Sequence, residues 1–141
     1  MKDTPPQPTP MSPEHCQLPA GEPTMRLLAR PADTNFAGDI FGGWIMSQVD
    51  LAGSIVASRK ARGRVATVAV NSFHFHKPVF VGDLISCYAK IEKIGNTSIT
   101  VFVEVYAERN PANVECIKVT QATLTYVALD SNGKPRPVTP E

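Results

Sequence analysis

The architecture of this chain follows from residues 42–59, which read Gly-Gly-Trp-Ile-Met-Ser-Gln-Val-Asp-Leu-Ala-Gly-Ser-Ile-Val-Ala-Ser-Arg. The segment contains no proline and is longer than a usual strand. Its apolar side chains cover most of a helical circumference: Trp44, Ile45, Met46, Val49, Leu51, Ala52, Ile55 and Val56. An apolar segment of this length predicts a buried helix that the glycine pair opens.

The residues on either side of the helix alternate between apolar and polar with a period of two, which predicts strands. One strand is expected before the helix, over residues 24–30. Four are expected after it, over residues 64–75, 84–94, 97–107 and 116–129, with turn formers at 81–83 and 95–96. Because a sheet with one apolar face needs a cover and an apolar helix needs an enclosure, the predicted fold class is α+β, an antiparallel β-sheet wrapped around a long central helix.

The two ends of the chain differ in composition from this central part. Residues 1–23 are rich in proline and poor in large apolar side chains. Such a stretch cannot bury enough surface to offset its ordering entropy, so we expect a disordered tail. Residues 137–141 are expected to form a short C-terminal tail. The folded domain is therefore predicted over residues 24–136.

The charge balance and the hydropathy argue against several classes of partner. The 14 basic and 13 acidic residues give a net charge of +1, so no strong field attracts nucleic acid or an anionic membrane. The sequence has no apolar run of about 18 residues or more, and its N-terminus lacks the pattern of a secretory signal. We therefore expect a cytoplasmic protein that binds neither nucleic acid nor membrane.

The three cysteines, Cys16, Cys87 and Cys116, are odd in number and show no CxxC spacing. This pattern favours reduced thiols over a disulfide framework or a zinc site.

Asp50 is the anomaly of the predicted helix, since its carboxylate lies among residues that favour a dry surrounding. A buried, unpaired carboxylate is costly, so this one is either partnered or kept for a chemical task. The positions one and two turns away on the same face hold small residues, Gly43, Ser47, Ser54 and Ala57. This predicts a groove that admits a ligand, with Asp50 as a general base. The alternative is a structural carboxylate bonded to Ser47 or Ser54, or one that lines a polar seam between two copies.

The backbone at the start of the helix is a second candidate. Gly42 and Gly43 present N–H groups that lack an intrahelical partner, with no side chain to block approach, which suits an oxyanion. The alternative is plain turn geometry at a helix entry.

The spacing between these two features predicts more than one copy of the chain. Asp50 lies eight residues beyond Gly42, which is roughly 12 Å along a helix axis. A base and an oxyanion donor must both lie within about 3–4 Å of the reacting atoms, so one helix cannot supply both. Two antiparallel copies related by a twofold axis can, which predicts at least a dimer with two equivalent sites.

The loop before the helix offers Asn35 and Asp39. The Asn35 amide is a candidate for orienting an attacking water or polarising a carbonyl, and its alternative is an Asx-turn or capping residue. Asp39 follows Gly38 and has the pattern of a loop-forming or capping residue, with substrate binding as its alternative.

These segments resemble the YciA-type acyl-CoA thioesterases. The likeness rests on residues 31–35, Pro-Ala-Asp-Thr-Asn, and on residues 38–50, Gly-Asp-Ile-Phe-Gly-Gly-Trp-Ile-Met-Ser-Gln-Val-Asp. Further matches lie at residues 63–67, 77–83 and 95–98, and together they cover nearly all of 24–136. The resemblance implies a hot-dog fold, dimers assembled into a hexamer, and hydrolysis of acyl-CoA without a metal or bound cofactor.

The resemblance also implies roles for individual residues. Asp50 and Asn35 match the essential pair that is contributed across the dimer interface, and the backbone of Gly42 or Gly43 is implied to hold the carbonyl oxygen. The candidates for binding the CoA part of the substrate are Arg64, Thr67, Lys77, Thr97, Ser98 and, in the loop, Asp39.

Two other functions stay open beside hydrolysis of acyl-CoA to free acid and CoA. A hydratase or dehydratase of enoyl thioesters on the same fold needs a histidine paired with a carboxylate. His74 and His76 are candidates, although their alternation with phenylalanines favours sheet-face residues. A non-catalytic acyl-CoA sensor binds the ester without releasing thiol, and the output surface or attached domain that it usually needs is not apparent in the sequence.

Overall fold

The computed structural model describes residues 17–138. Strand β1 (Met25–Leu28) is followed by a 3-10 turn at Pro31–Asp33 and by helix α1 (Gly42–Ala61). Four strands come next: β2 (Val65–Phe75), β3 (Leu84–Ile94), β4 (Ser98–Arg109) and β5 (Glu115–Ala128). The predicted α+β class and the predicted order of elements are confirmed.

The five strands form one antiparallel sheet in the order β1-β3-β4-β5-β2. Helix α1 packs against β2, β3, β4 and β5 on one face of this sheet. Strand β2 follows the helix in the chain and pairs only with β5, so it forms an edge of the sheet. The hydrogen-bonding groups on its outer side therefore have no strand partner among residues 17–138.

The apolar core lies between α1 and the sheet. Strand β4 contributes the face that the alternation predicted, and these four side chains are fully buried: Ile99, Val101, Val103 and Val105. Across the ladder, β5 adds Leu124 and Tyr126, which pair with Val101 and Ile99. Fully burying an aliphatic side chain stabilises a fold by about 1.5–3 kcal/mol, so this shared face holds the helix on the sheet.

Helix α1 is only half enclosed by its own chain. One side faces the sheet and is buried: Ile45, Val49, Ala52, Gly53, Ala57 and Ala61. On the other side Leu51 is exposed to 53% of its surface, and Met46 near the start of the helix is exposed as well. The expectation of a helix buried on nearly all sides is therefore wrong for the single chain, because one sheet covers only one face of a helix. The opposite apolar side is left for another partner.

The ends of the described chain pack more than the composition suggested. Residues 1–16 and 139–141 lie outside the described residues, and so does most of the predicted disordered tail. Within residues 17–23, Pro19, Ala20 and Glu22 line a cavity of about 240 Å³ against β3 and β4. At the other end Val138 is buried, and its N–H donates to the Asn96 carbonyl over 2.9 Å. The compact domain thus extends past the predicted boundary at residue 136.

The cysteines do not all follow the expectation of reduced thiols. Cys87 in β3 is a buried free thiol, and burial raises the pKa of that thiol to about 12. Cys116 in β5 is disulfide-bonded, so the expectation is wrong for this residue. Among residues 17–138 no helix has the length and apolarity needed to cross a bilayer.

Candidate active site

The Asp50 carboxylate lies where α1 crosses the inner face of β2 and β5. Thr67 in β2 donates its hydroxyl to Asp50 Oδ1 over 2.7 Å. Tyr126 in β5 donates to the same oxygen over 3.0 Å and lies 2.9 Å from the Asp50 backbone carbonyl. Among residues 17–138 no hydrogen bond ends on Oδ2. One carboxylate oxygen is therefore held by the sheet, and the other is left for a reactant.

The sheet register explains why two strands reach one carboxylate. Thr67 and Tyr126 are directly opposite each other in the antiparallel β2–β5 ladder, just before a β-bulge that ends at Ala69. Cross-strand partners share a face of the sheet. Both hydroxyls therefore point to the side on which α1 packs. This assigns the Thr67 hydroxyl to Asp50, whereas the sequence suggested a contact with CoA.

Tyr126 is a site residue that the sequence analysis missed. Its side chain is fully buried. Burial is the main cause that raises the pKa of its phenol far above the ordinary range, and the negative charge of Asp50 is the second. Tyr126 therefore stays protonated and acts as a donor. A tyrosine on the predicted inner face of a strand was the only available signal, and it does not reveal which helix residue lies opposite.

The two serines that offered a structural explanation for Asp50 have other partners. Ser47 donates to the Trp44 carbonyl over 2.8 Å, and Ser54 donates to the Leu51 carbonyl over 2.7 Å. Both bonds stay within α1, as is usual for serines inside helices. The carboxylate is thus partnered, but by the sheet and not by its own helix.

The start of α1 opens onto a groove. Phe41 precedes the helix and makes no side-chain cap, so the N–H groups of the first turn have no cap from that side chain. The groove has a volume of about 420 Å³ and brings Gly42 together with the candidate Lys77. Its other lining is mostly apolar: Ile40, Ile45, Phe75, His76, Pro78 and Val79. A β-carbon on Gly42 would approach the Phe75 ring to 3.1 Å, so glycine keeps this end of the helix open.

The Asn35 side chain shapes its own loop and also presents a hydrogen-bond donor at the surface. Its side-chain Oδ1 accepts from the N–H of Ala37 over 3.0 Å and of Asp39 over 3.1 Å, which is an Asx-type turn. These bonds fix the side chain and leave the amide Nδ2 group as an exposed donor. Asp39 closes the same loop through its backbone, because its carbonyl accepts from the Asn35 N–H over 2.9 Å. The loop-forming pattern predicted for Asp39 is present.

Arg64, Thr97 and Ser98 come together at the opposite end of the molecule. The N–H groups of the consecutive residues Ala128 and Leu129 donate to the carbonyls of Thr97 and Arg64, each over 2.9 Å. Ser98 begins β4 beside Thr97. The three candidates are thereby brought to one edge, beyond the C-terminal end of α1.

A cleft of about 410 Å³ adjoins this edge. It is lined by Arg62, Gly63, Arg64, Leu129, Asp130, Ser131 and Arg136. Arg136 donates to three backbone carbonyls, including that of Ala61 at the end of α1 over 2.6 Å, so it serves the fold. Arg62 and Arg64 make no side-chain hydrogen bond within residues 17–138 and are left to give the cleft its positive charge.

The single chain therefore divides the predicted site into separate parts. Thr67 accompanies Asp50 at the middle of α1, Lys77 accompanies Gly42 at its start, and Arg64 lies beyond its end. Asp50 lies eight residues after Gly42 in α1, so the helix separates the two by roughly 12 Å along its axis. No contact among residues 17–138 joins the base candidate to the oxyanion candidate.

The two candidate histidines do not form an acid–base pair. His74 near the end of β2 and His76 just after that strand stack on each other, with ring centroids 6.5 Å apart, and both are exposed. Within the described residues neither histidine has a carboxylate at salt-bridge distance. The same part of the chain contains no group of three or more His, Cys, Asp or Glu residues arranged to hold a metal ion.

The comparison with protein families and curated sequences gives one consistent result. The family model described as the thioesterase superfamily matches residues 37–112. The acyl-CoA thioester hydrolase YciA of Salmonella typhimurium is 49% identical over 122 residues, which cover 85% of this chain and 92% of that protein. The protein of the same name from Escherichia coli K12 is 46% identical, over 89% of this chain and 96% of its own length.

Solved structures agree with the sequence relatives. A hexameric broad-specificity acyl-coenzyme A thioesterase superposes with a TM-score of 0.82 at 46% identity, over 89% of this chain and 86% of that one. A hexameric hotdog-fold thioesterase of Campylobacter jejuni gives a TM-score of 0.80 at 50% identity, over 84% of this chain and 91% of that one.

Proposed function

This chain belongs to the thioesterase superfamily, and from that premise we propose that it hydrolyses the thioester bond of acyl-CoA to a free acid and CoA. The observation that carries the proposal is the Asp50 carboxylate, which two hydroxyls from the sheet hold by one oxygen only. A positioned carboxylate with one free oxygen is suited to act as a general base.

The proposed reaction uses that free oxygen. A water gives a proton to Asp50 Oδ2 while its oxygen attacks the thioester carbonyl carbon. The Gly42 and Gly43 amides of a neighbouring copy stabilise the oxyanion, and the Asn35 amide of that copy orients the water or the carbonyl. The C–S bond then breaks, and the CoA thiolate takes a proton from Asp50 or from solvent.

A second copy of the chain completes the site in this proposal. Two features of the single chain support it: the unpaired edge of β2, where Val68 is 56% exposed, and the exposed apolar side of α1. An open edge strand of this length is usually paired or covered. Antiparallel pairing of two β2 strands would bring Asp50 of one copy toward Gly42 of the other. The solved relatives are hexameric, which supports a hexamer of three such dimers.

The cleft beside Arg64 is the proposed position of the CoA phosphates. Arginine binds phosphate through paired N–H donors, and Arg62 and Arg64 face the cleft without a competing side-chain partner in the described chain. From Asp50 to the end of α1 at Ala61 the helix advances by roughly 16 Å, a distance that the pantetheine arm can span. Thr97 and Ser98 lie at this edge, whereas Lys77 reaches the site from the neighbouring copy.

The primary test is thiol release from short, medium and long acyl-CoA esters. We expect Asp50→Ala and Asp50→Asn to lose at least about 10²-fold in rate with the fold retained, as expected for removal of a general base. Glu92→Gln, an exposed carboxylate on β3, is the matched control and should keep the wild-type rate. A rate near wild type for both Asp50 variants would refute the proposal.

Complementation tests whether the site is shared between copies. Asp50→Asn and Asn35→Ala are each expected to be inactive, but a mixed dimer contains one site with both native residues. Random pairing makes about half of the dimers mixed, with one intact site of two, so about one quarter of the wild-type rate should return on co-refolding. No recovery, with mixed dimers demonstrated by mass, would place both residues in one chain's site.

A rival within the same function has Asp50 attack the carbonyl directly and form an anhydride. A single turnover in ¹⁸O-water separates the two routes. We expect no label in the protein, since a general base exchanges only a proton, whereas label in Asp50 would establish attack by the side chain.

The two other functions give different products. A hydratase would add water to an enoyl thioester without releasing thiol, and it has no support from His74 and His76, neither of which is paired with a carboxylate within residues 17–138. A sensor would bind acyl-CoA and release no thiol with any chain length.

The absence of a bound cofactor and the cytoplasmic location stay predictions.

A further inference from the structure

Tyr126 makes an unusual contact with the proposed base. Its hydroxyl lies between two oxygens of the same residue, the Asp50 carbonyl at 2.9 Å and Asp50 Oδ1 at 3.0 Å. The helix and its functional side chain are thereby attached to one point on β5.

The packing around this hydroxyl leaves it little freedom. Gly53 lies three residues after Asp50, and a β-carbon there would overlap the Tyr126 hydroxyl. The absence of a side chain at Gly53 lets the phenol reach the helix backbone. Because the Tyr126 side chain is fully buried, water cannot replace its hydroxyl without a rearrangement of the core.

From this geometry we propose that Tyr126 is a positioning residue for Asp50, which fixes the carboxylate rotamer through Oδ1 and reserves Oδ2 as the proton-accepting oxygen. The inference rests on the proposed function, since it assigns a role to a residue that acts through the base. Thr67, the cross-strand neighbour of Tyr126, donates to the same oxygen from the adjacent strand.

The chemistry of the phenol suits this role. A donor stabilises the charged form of a carboxylate, and a neutral donor does so without neutralising it as a lysine would. Burial keeps the Tyr126 phenol protonated because it raises the pKa of that group. Within residues 17–138 the Asp50 carboxylate accepts from Thr67 and Tyr126 on the sheet, and of these two only Tyr126 carries a titratable group.

A purely structural role makes a different prediction. If the hydroxyl only anchored the helix through the Asp50 carbonyl, its removal would lower thermal stability and leave the pH dependence of catalysis unchanged. If it positions the carboxylate, its removal also changes the chemical step and the pH at which the base becomes protonated.

The test is Tyr126→Phe, which deletes the hydroxyl and keeps the ring. We expect kcat to fall by about 10-fold or more, in the range of one lost hydrogen bond to a charged group. KM should change little, because the Tyr126 side chain is fully buried and presents no surface to a substrate. The acidic limb of the kcat–pH profile should move to higher pH, since the carboxylate loses a donor that favours its charged form.

Tyr106→Phe is the matched control. Tyr106 is also buried, and its hydroxyl lies 3.5 Å from Glu104, away from Asp50. This variant should keep the wild-type rate and pH profile. A loss of stability in Tyr126→Phe with kcat and the acidic limb both unchanged would overturn the inference.

A second substitution keeps the test decisive if the phenylalanine variant does not fold. Site-specific 3-fluorotyrosine at position 126 keeps the ring and the hydroxyl but makes the phenol a stronger donor. The acidic limb should then move to lower pH, and an unchanged limb counts against the inference. The two proposals fail separately: an active Asp50→Ala refutes the proposed function, whereas an inactive Asp50→Ala with an unaltered profile at position 126 refutes only the role of Tyr126.

Discussion

Gly53 reverses the usual effect of an alanine substitution in a helix. In most helix interiors Gly→Ala stabilises by roughly 0.5–1 kcal/mol, because glycine loses more backbone freedom on folding. At Gly53 the added β-carbon would overlap the Tyr126 hydroxyl, so the helix or the phenol has to move. Overpacking of this kind costs about 1–3 kcal/mol.

We therefore expect Gly53→Ala to lower the midpoint of thermal unfolding and to reduce thiol release, because the displaced phenol no longer holds Asp50. Circular dichroism and the thiol assay measure the two effects. Ser58→Ala is the control in the same helix, since within the described part of the chain its hydroxyl bonds to the Ile55 carbonyl alone, over 3.2 Å. Higher stability for Gly53→Ala would show that the contact with Tyr126 is loose.

At the level of secondary structure, β2 is the element that the single chain leaves incomplete. Its outer edge has no strand partner among residues 17–138, and Val68 and Val70 on this strand are exposed. Long apolar edge strands tend to pair with another chain unless they are charged or covered. The edge is the natural seam between two copies.

A charge on this strand should separate the copies. We expect Val70→Asp to give monomers in sedimentation and to lose most thiol release while circular dichroism stays close to wild type, because the shared site is broken. Val114→Asp places the same charge on an exposed valine in the β4–β5 turn and should remain at least dimeric and active. An active Val70→Asp monomer would contradict both the seam and the shared site.

For the whole molecule, the buried thiol of Cys87 makes the free energy of unfolding depend on pH in the alkaline range. Burial raises the pKa of Cys87 from an ordinary value of 9.0 to about 12. The unfolded chain therefore loses this proton at lower pH than the folded chain. The stabilisation is complete below pH 9 and is lost as the pH rises toward 12, at up to about 1.4 kcal/mol per pH unit.

This dependence is measurable by urea unfolding between about pH 8 and 10, where the tyrosines of the unfolded chain begin to ionise equally in the wild type and in a Cys87 variant, so that the difference between the two isolates the thiol. We expect the wild-type free energy of unfolding to decline over this window and Cys87→Ala to decline less steeply, although the variant starts lower because of the cavity it creates. Parallel curves for the two proteins would show that the thiol is not the source of the pH dependence.

The sequence predicts those features of this protein that depend on residues close together along the chain, and it does not predict contacts between distant residues. The helix, the order of the strands and the inner face of β4 follow from periodicity, which reflects neighbours a few residues apart. Asp50 was found in the same way, as a charge in an apolar segment. Only the tertiary structure excludes Ser47 and Ser54 as its partners, because both serines bond to carbonyls of their own helix.

Local patterns in the sequence established the α+β class, the glycine-led helix and the acidic residue within it, since hydrophobic periodicity is a property of consecutive residues. Three-dimensional packing established the rest. Tyr126 meets Asp50 across 76 positions of sequence, through a β2–β5 register that a bulge shifts at Thr67. Because each shift by one residue turns a side chain to the opposite face, alternation alone cannot say which hydroxyl lies under the helix.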